Sequence, residues 1–340
     1  MSPLSIWTYY WNNKRKVFPL TGIIALSIVG IASSGTLTGS LYQDQEREIA
    51  FFDYYSLVFS SQRAGLSGPI LEKLDGHSSV ANALRMERRT TPRQGLFGRE
   101  GTPIYFLSEF DKRPFADRLT WDLVEGRWPQ PGTNELAITE NFLRNRGLGV
   151  GDRMGQAVDD ADWLNGEWLI VGAFGATEVI GGLGDLDFLR ERFLAQPGVA
   201  ESLQDQPHLL ALAPVAGQET QMEALLDSLP KDEVFVIHRS IARRNFENLT
   251  RNIDTIVWIL NAMSIAVIAL ALGLLNVIFF MQRANEFGLL AALGYTKRFL
   301  MRRVFTEAAV TVAMGWVLGI LLSIGIYSAL NTFIFIPRGL

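Results

Sequence analysis

The sequence contains no cysteine and only three histidines. Without cysteine, the chain can form neither a disulfide nor a thiolate metal site. The three histidines are far apart and lack the close spacing of metal ligands. The sequence also lacks a Gly-x-x-x-x-Gly-Lys-Ser/Thr phosphate loop and a Gly-x-Ser-x-Gly nucleophile elbow. We therefore predict no catalytic residue, no metal site and no cofactor bound by this chain.

Charge is also scarce, because charged residues make up 19% of the chain, against about 25% in average soluble domains. The net charge of −4 gives no reason to expect a nucleic-acid partner. The shortage is concentrated in three stretches of uncharged residues, interrupted only by Glu307. Each exceeds the roughly 20 apolar residues that cross a bilayer as a helix. They predict transmembrane helices at residues 17–41, 255–282 and 304–336.

The first apolar stretch has an alternative interpretation as a cleaved signal peptide. Basic residues at 14–16 would then be the charged flank, and the small residues at 31–34 would be the cleavage site. The stretch is longer than the roughly 7–15-residue core of a signal peptide. We therefore favour an uncleaved membrane anchor.

The distribution of basic residues predicts the orientation in the membrane. The N-terminal tail, residues 1–16, and the loop at 283–303 are both basic, which predicts that both are cytoplasmic. Residues 42–254 must then lie outside, and they carry 22 Lys and Arg against 33 Asp and Glu, a net charge of −11. The prediction is a multi-pass protein of the cell (inner) membrane with an acidic extracytoplasmic domain.

The extracytoplasmic segment alternates short apolar runs with helix-like runs, which predicts an α+β domain. Glycine and proline separate these runs. The stretch at 172–206 is rich in glycine at its start, and we interpret it as an inserted subdomain or a mobile loop. Strands are predicted at 104–107, 168–171, 209–212 and 234–237, and helices at 140–146 and 219–229.

A heptad-like seam precedes the second span, with apolar residues at spacings of four, three, four and three. This pattern predicts a helical stalk at about 239–254 that continues into the membrane and packs on residues 42–59. The alternative is an ordinary amphipathic helix covering the base of the domain. The seam consists of Ala242, Phe246, Leu249, Ile253 and Ile256, and its predicted partners are Ile49, Phe52 and Phe59.

The cytoplasmic loop contains a short helix-forming run with apolar residues on one face. We predict that Gly294 ends this helix and that Thr296 caps the next one. A loop of this size cannot bury its own leucines. The apolar face of the helix therefore needs either a groove on a partner protein or the membrane-lipid interface. The apolar residues are Phe287, Leu290, Leu293 and Leu289, and the basic face is Lys297, Arg298, Arg302 and Arg303.

Small residues in the spans predict close helix packing. Gly315 and Gly319 form a Gly-x-x-x-Gly pair in the third span, and Gly35 and Gly39 form another in the first. Such pairs serve packing within one subunit or between two subunits, and both interpretations stay open. Two structural roles stay open for Glu307, which can extend its carboxylate to the membrane interface or pair with Arg303, four residues earlier.

The loop motif R-x-x-E-F-G-L-L-x-A-L-G-x-T-x-R, from Arg283 onward, resembles the FtsX/MacB-type ABC transporter permease family. The order of motifs upstream is similar to that of the family's MacB-like periplasmic core domain. Those motifs are Glu125–Trp128, Asn134–Ile138, Leu148–Asp152 and Leu169–Gly172. The fold class implied is a multi-pass α-helical membrane protein with a large α+β extracytoplasmic domain on a helical stalk.

The resemblance implies a permease subunit of an ABC-type export or mechanotransmission complex. A separate ABC ATPase would hold ATP and magnesium and dock on a coupling helix, and its motion would reach the outer domain along the stalk. The family layout also implies a homodimer or paired permease and an outer partner such as a periplasmic adaptor. By this resemblance the coupling helix contains Glu286, Phe287, Gly288, Leu290, Leu293 and Gly294, and the stalk contains Phe246, Leu249 and Ile253.

Two alternatives to transport stay open. One is an FtsX-like regulator of a cell-wall hydrolase, and the other is a membrane-anchored extracytoplasmic sensor. The family has four spans and this sequence contains three, so either the sequence is truncated or the fourth family helix is absent. For the sequence as given, the C-terminus is expected to lie outside.

Overall fold

The computed structural model describes residues 14–61, 65–95, 98–175, 178–194, 207–282 and 284–335. These residues form two compact units, one made of residues 14–40 and 250–332 and the other of residues 41–249 with 333–335. We call them the helical unit and the sheet unit.

The described residues contain nine α-helices and ten strands, with single π-helical turns at Arg190–Leu194 and Asn331–Phe335. In chain order the elements are α1 Lys14–Tyr54, β1 Ser56–Ser60, α2 Gly68–Asp75, β2 Val80–Gln94, β3 Arg99–Leu107, α3 Glu109–Arg118, β4 Leu123–Gly126, β5 Glu135–Thr139, α4 Glu140–Arg146, β6 Arg153–Met154, β7 Trp168–Phe174, β8 Gly182–Asp185, α5 Leu186–Leu189, β9 Leu209–Pro214, α6 Glu219–Asp227, β10 Val234–Ile237, α7 Arg239–Gln282, α8 Ala284–Ala292 and α9 Lys297–Leu330.

Three helices are long and apolar enough to cross a membrane. The candidate spans are Val17–Thr36 in α1, Arg239–Leu270 in α7 and Lys297–Phe333, which begins with α9. Most of their large apolar side chains are exposed, as in Leu26, Trp258 and Trp316. Exposed apolar surface of this extent is unfavourable in water, and it is what a helix that crosses a bilayer presents to lipid.

Within the helical unit, α9 packs closely on α1 through two glycines. A Cβ atom built on Gly315 would lie 2.7 Å from the Cβ of Ile24, and one on Gly319 would lie 2.8 Å from the Cβ of Ile28. The backbones can approach this closely only because neither position has a side chain. The Gly315 and Gly319 pair therefore serves packing within the chain. Gly35 and Gly39, in contrast, have no atom within 4 Å of a built Cβ.

Two polar contacts also join residues of the helical unit. The Ser34 hydroxyl on α1 donates to Oδ1 of Asn261 on α7 at 3.0 Å. Of the two roles open for Glu307, the ion pair with Arg303 is present, with a separation of 3.2 Å between Oε1 and Nε. Both members of this ion pair are largely buried in the chain, so the carboxylate is neutralised where it enters the apolar helix.

The sheet unit is built on one mixed sheet of ten strands. The strand order is β10-β1-β9-β2-β3-β8-β5-β7-β4, and β6 pairs with β7. The β3–β8 and β5–β7 pairs are parallel and the other pairs are antiparallel. This mixed sheet with helices agrees with the predicted α+β class. The runs predicted as strands lie in β3, β7, β9 and β10, and those predicted as helices correspond to α4 and α6.

Alternating side chains along the strands place apolar groups on both faces of the sheet. In β1, Leu57 packs in a cluster with Phe51 and Tyr55 from the end of α1, whereas Val58 packs in a second cluster. The second cluster includes Leu74 of α2 and Leu226 of α6. The end of α1 thus covers one face of this half of the sheet, while α2 and α6 contribute to the cluster on the other.

The predicted inserted subdomain or mobile loop at 172–206 needs correction. Residues 172–174 complete β7, and β8 lies between β3 and β5 inside the sheet. The glycines that suggested a loop are needed there, because Gly182 and Gly184 lie against the side chains of Ile104 and Phe106. Residues 195–206 lie outside the described residues.

A buried ion pair connects α3 to β8. Nζ of Lys112 lies 2.8 Å from Oδ2 of Asp185, and the two side chains are 2% and 0% exposed. The other Asp185 oxygen accepts the N–H groups of Gly132 and Phe188, both at 3.0 Å. Burial alone would raise the pKa of Asp185, but the hydrogen bonds from Lys112 and the two N–H groups outweigh it and lower the pKa.

Candidate functional site: the α8 helix and the base of the sheet unit

The short helix α8 ends in a Schellman turn at Gly294. The Tyr295 N–H donates to the carbonyl of Leu290 at 3.1 Å, and the Gly294 N–H donates to that of Ala291 at 3.0 Å. Gly294 has a φ of +88°, which glycine adopts at little steric cost. The predicted helix end is confirmed, and the chain reverses sharply between α8 and α9.

The first turn of α9 is capped as the sequence predicts. Thr296 is the N-cap, and its hydroxyl accepts the Phe299 N–H at 3.4 Å. The Tyr295 and Phe299 rings stack with centroids 5.0 Å apart. Because both ends of the connection between α8 and α9 are capped, the turn has a defined conformation.

The apolar residues of α8 differ in exposure. Leu289 and Leu293 are 65% and 69% exposed and lie four residues apart, on one helix face. Phe287 and Leu290 are half-buried. The prediction placed Phe287, Leu290 and Leu293 on one face, with Leu289 as a further candidate, and of these Leu289 and Leu293 are the exposed ones. Leu289 and Leu293 are the leucines that a partner or lipid could contact without rearrangement, and we call them the leucine pair.

The other predicted coupling residues are placed as follows. Gly288 is exposed on α8. Arg283 and the side chain of Glu286 lie outside the described residues. The candidate site is therefore defined without Glu286.

The predicted basic face is divided by the fold. Lys297, Arg298 and Arg302 are exposed on the first turns of α9. Arg303 is largely buried and pairs with Glu307, so it does not belong to this face. Three cations beside the leucine pair suit an acidic protein surface or anionic headgroups.

The predicted stalk residues in the sheet unit lie around a cavity of about 320 Å³. Phe246 and Leu249 of α7 line it together with Ile49 and Phe52 of α1. The two helices therefore face each other across a cavity at this level. Phe59 lies in β1, where its ring contacts Phe235, so its prediction as a stalk partner is wrong. Ile253 is half-buried and Ile256 is exposed, and both lie in the helical unit.

Ion pairs also connect the two helices at the base of the sheet unit. Oδ1 of Asp53, near the end of α1, lies 2.8 Å from Nε of Arg239 and 3.5 Å from an NH2 nitrogen of Arg243 on α7. All three side chains are at least 40% exposed. Exposed pairs contribute little stability because water screens them. They can therefore break and re-form if the helices shift.

The described part of the chain contains no group of three or more His, Asp or Glu side chains arranged to hold a metal.

Comparison with known families identifies the C-terminal part of the chain. Residues 258–338 match the family described as FtsX-like permease C-terminal. This region is similar to FtsX-like permeases. The match contains the C-terminal part of α7, α8 and α9, so the resemblance read from the loop motif is confirmed there. No curated protein sequence matches the chain.

Solved structures similar to the chain include outer domains of transport proteins. The periplasmic region of MacB from Actinobacillus actinomycetemcomitans has 8% identity and a TM-score of 0.36, covering 58% of this chain and 94% of that one. The extracellular domain of the noncanonic ABC-type transporter YknZ from Gram-positive bacteria has 11% identity and a TM-score of 0.33, with coverages of 54% and 99%. A permease domain from Porphyromonas gingivalis has 16% identity and a TM-score of 0.31, with coverages of 54% and 86%. Because these scores are low, the similarity to the permease family rests on residues 258–338.

Proposed function

We propose that this chain is the membrane permease subunit of an ABC-type export or mechanotransmission complex. A separate ABC ATPase hydrolyses ATP and docks on α8, and the sheet unit moves outside the membrane in response. The observation that carries this proposal is the FtsX-like match across α8 and the helices on either side of it. In this proposal the N-terminus and α8 are cytoplasmic and residues 42–254 are extracytoplasmic, in agreement with the distribution of basic residues.

The leucine pair supports a protein partner for α8. Leu289 and Leu293 present an apolar surface on a helix of only nine residues, Ala284–Ala292, and the turn that follows it. A short amphipathic helix of this kind binds by placing its apolar face in a groove. The exposed cations of Lys297, Arg298 and Arg302 would surround that contact and favour an acidic rim on the partner.

A continuous helix offers a route for the motion. α7 contains the cavity-lining residues Phe246 and Leu249 and runs without a break to Gln282, one residue before the loop that carries α8. In this proposal, displacement of α8 by the ATPase is passed along α7 to the base of the sheet unit. Two permease chains work as a pair, and a partner outside the membrane receives the motion.

The docking role of α8 is tested by replacing Leu293 with aspartate. A charge on the exposed leucine pair should prevent its burial in an ATPase groove, because a buried unpaired carboxylate is strongly unfavourable. We expect the amount of ATPase that co-purifies with the full chain from its own membranes to fall at least about tenfold, as for an interface hot spot. The measurement is quantitative mass spectrometry of the phosphate-loop ATPase in the purified sample.

The matched control is Ala291→Asp, which adds the same charge at another exposed position of the same helix. This variant should retain ATPase recovery within about twofold, because residues two apart on a helix do not share a face, so Ala291 lies off the face of Leu289 and Leu293. Equal ATPase recovery from the Leu293 variant and the control would show that α8 is not the docking element.

A further inference from the structure

The cavity at the base of the sheet unit has an apolar floor. Phe51, Leu57, Tyr105 and Ala242 line it, and each is more than nine-tenths buried. The rings of Phe51 and Tyr105 stack with centroids 5.1 Å apart and planes within 8° of parallel. A volume of about 320 Å³ is at the lower end of the range for pockets that bind small molecules.

The mouth of the cavity is polar and positively charged. Arg88, Asn245 and Leu249 line the cavity and are exposed, so they mark its opening. Arg88 lies opposite Tyr105 in the register of β2 and β3, and directly opposed residues project from the same face of a sheet. Its guanidinium is therefore placed at the edge of the aromatic floor, and among the described residues it has no ion-pair partner.

Arg88 is the uncompensated charge of the described lining. Arg93 also lines the cavity, but it is buried and pairs with Glu100 at 2.9 Å. Among the described residues, no carboxylate lines the cavity. The buried hydroxyl of Thr102, another lining residue, has no hydrogen-bond partner among the described residues. The site thus offers an apolar surface, a free cation and an unused polar group.

We propose that this cavity binds a single-chain amphipathic anion, with its apolar chain on the aromatic floor and its carboxylate or similar group on Arg88. Such a ligand matches both the apolar floor and the charged mouth of the cavity. Burial of the ligand's apolar chain supplies affinity, and the contact with Arg88 fixes the orientation of the ligand. A purely apolar ligand would leave Arg88 without a partner. A cation would be repelled by the charge of Arg88.

A neighbouring cavity supports this choice of charge. It has a volume of about 1060 Å³ and shares Ile49, Val179 and Phe246 with the first, but its lining includes four carboxylates. These are Glu46, Asp53, Glu178 and Glu247, and among the described residues Arg243 is the lining cation. Like charges disfavour an anion there. An amphipathic anion should therefore select the Arg88 cavity, although the larger one is adjacent.

The test uses the full chain in phospholipid nanodiscs and a photoreactive probe, dodecanoic acid with a diazirine on its chain. We expect saturable labelling of peptides that contain residues 49–57 or 242–249. Arg88→Gln should raise the half-saturating concentration about three- to tenfold, the effect of losing one partly solvated charge-assisted hydrogen bond. Asn245→Trp, which places an indole at the cavity mouth, should reduce the labelling at saturation by at least about half.

Each variant has a matched control, and a second probe isolates the charge. Arg89→Gln removes the adjacent arginine, whose side chain projects from the opposite face of β2, and Asn248→Trp adds an indole to α7 at a position that does not line the cavity. Both should label as the unmodified chain does. The corresponding diazirine dodecanol should bind without sensitivity to Arg88→Gln.

Three results would overturn the proposal. They are labelling confined to the membrane spans, equal effects of Arg88→Gln and Arg89→Gln, and an Arg88→Gln effect of the same size on the alcohol as on the acid. None of these readouts involves α8 or an ATPase. A failure here is therefore distinguishable from a failure of the proposed permease function, which the Leu293 variant tests.

Discussion

Gly319→Leu should strongly destabilise the helical unit, whereas Gly325→Leu on the same helix should have little effect. A Cβ on Gly319 would lie 2.8 Å from the Cβ of Ile28 and 3.0 Å from the carbonyl oxygen of Ala25. Leucine cannot fit unless α9 moves away from α1, and overpacking of this kind costs about 1–3 kcal/mol or more. At Gly325 nothing lies within 4 Å of a built Cβ.

The measurement is the free energy of unfolding of the full chain in mixed micelles, titrated with a denaturing detergent. Gly325→Leu controls for the added side chain, because it makes the same replacement six residues along the helix, at an exposed position. A Gly315→Leu variant should behave like Gly319→Leu, since its Cβ would meet Ile24 at 2.7 Å. If Gly319→Leu and Gly325→Leu lost the same stability, α9 would not pack on α1 through these glycines.

Lys112→Met should cost the chain about 3–5 kcal/mol of stability, because it leaves a buried carboxylate without its counter-charge. Asp185 is fully buried and its Oδ2 lies 2.8 Å from the lysine nitrogen. The matched control is Lys73→Met on α2, where the lysine is exposed and donates to the hydroxyl of the exposed Ser228, with no ion pair among the described residues. That change should cost less than about 1 kcal/mol.

The cost of Lys112→Met should also depend on pH. The pKa of Asp185 is lowered in the folded chain, so its stabilisation is present above the ordinary carboxyl pKa of about 3.9 and is lost as pH falls through the folded-state value. Without Lys112, burial should raise the pKa of Asp185, and protonation then relieves the unpaired charge. The difference in unfolding free energy between the two proteins should therefore shrink as pH falls from 7 towards 4. A difference that grew on acidification would contradict this account of the ion pair.

Local sequence chemistry predicted much of the α8 region. Gly294 and Thr296 were identified as helix boundaries because a left-handed cap and a hydroxyl N-cap depend on a few neighbouring residues only. The exposure of each leucine was not predictable in this way. Leu290 lies on α8 and Leu293 directly follows it. The difference in exposure between these two leucines depends on which residues the fold places beside each of them.

Parts of the sheet unit were missed for the same reason. β2 carries Arg85, Arg88, Arg89 and Arg93 and has no continuous apolar run. It is nevertheless a fifteen-residue strand between β9 and β3, and alternate residues such as Leu84 and Met86 are buried in the apolar cluster on one face of the sheet. β8 was interpreted as part of a loop because of its glycines. Its place between β3 and β5 depends on Phe106 and Ile104, which lie about 80 residues earlier in the sequence.

The sequence by itself determined the three apolar spans, the acidic segment between the first two, and the loop motif of an FtsX-like permease. These features depend on composition and short-range spacing, which do not require a fold. Only the tertiary structure decided that Gly315 and Gly319 pack on α1 within the chain, that Leu289 and Leu293 form the exposed pair, and that Arg88 faces an apolar cavity. Each of these features depends on contacts between residues far apart in the chain. A local sequence pattern does not specify which distant side chain packs against a given surface, or whether any does.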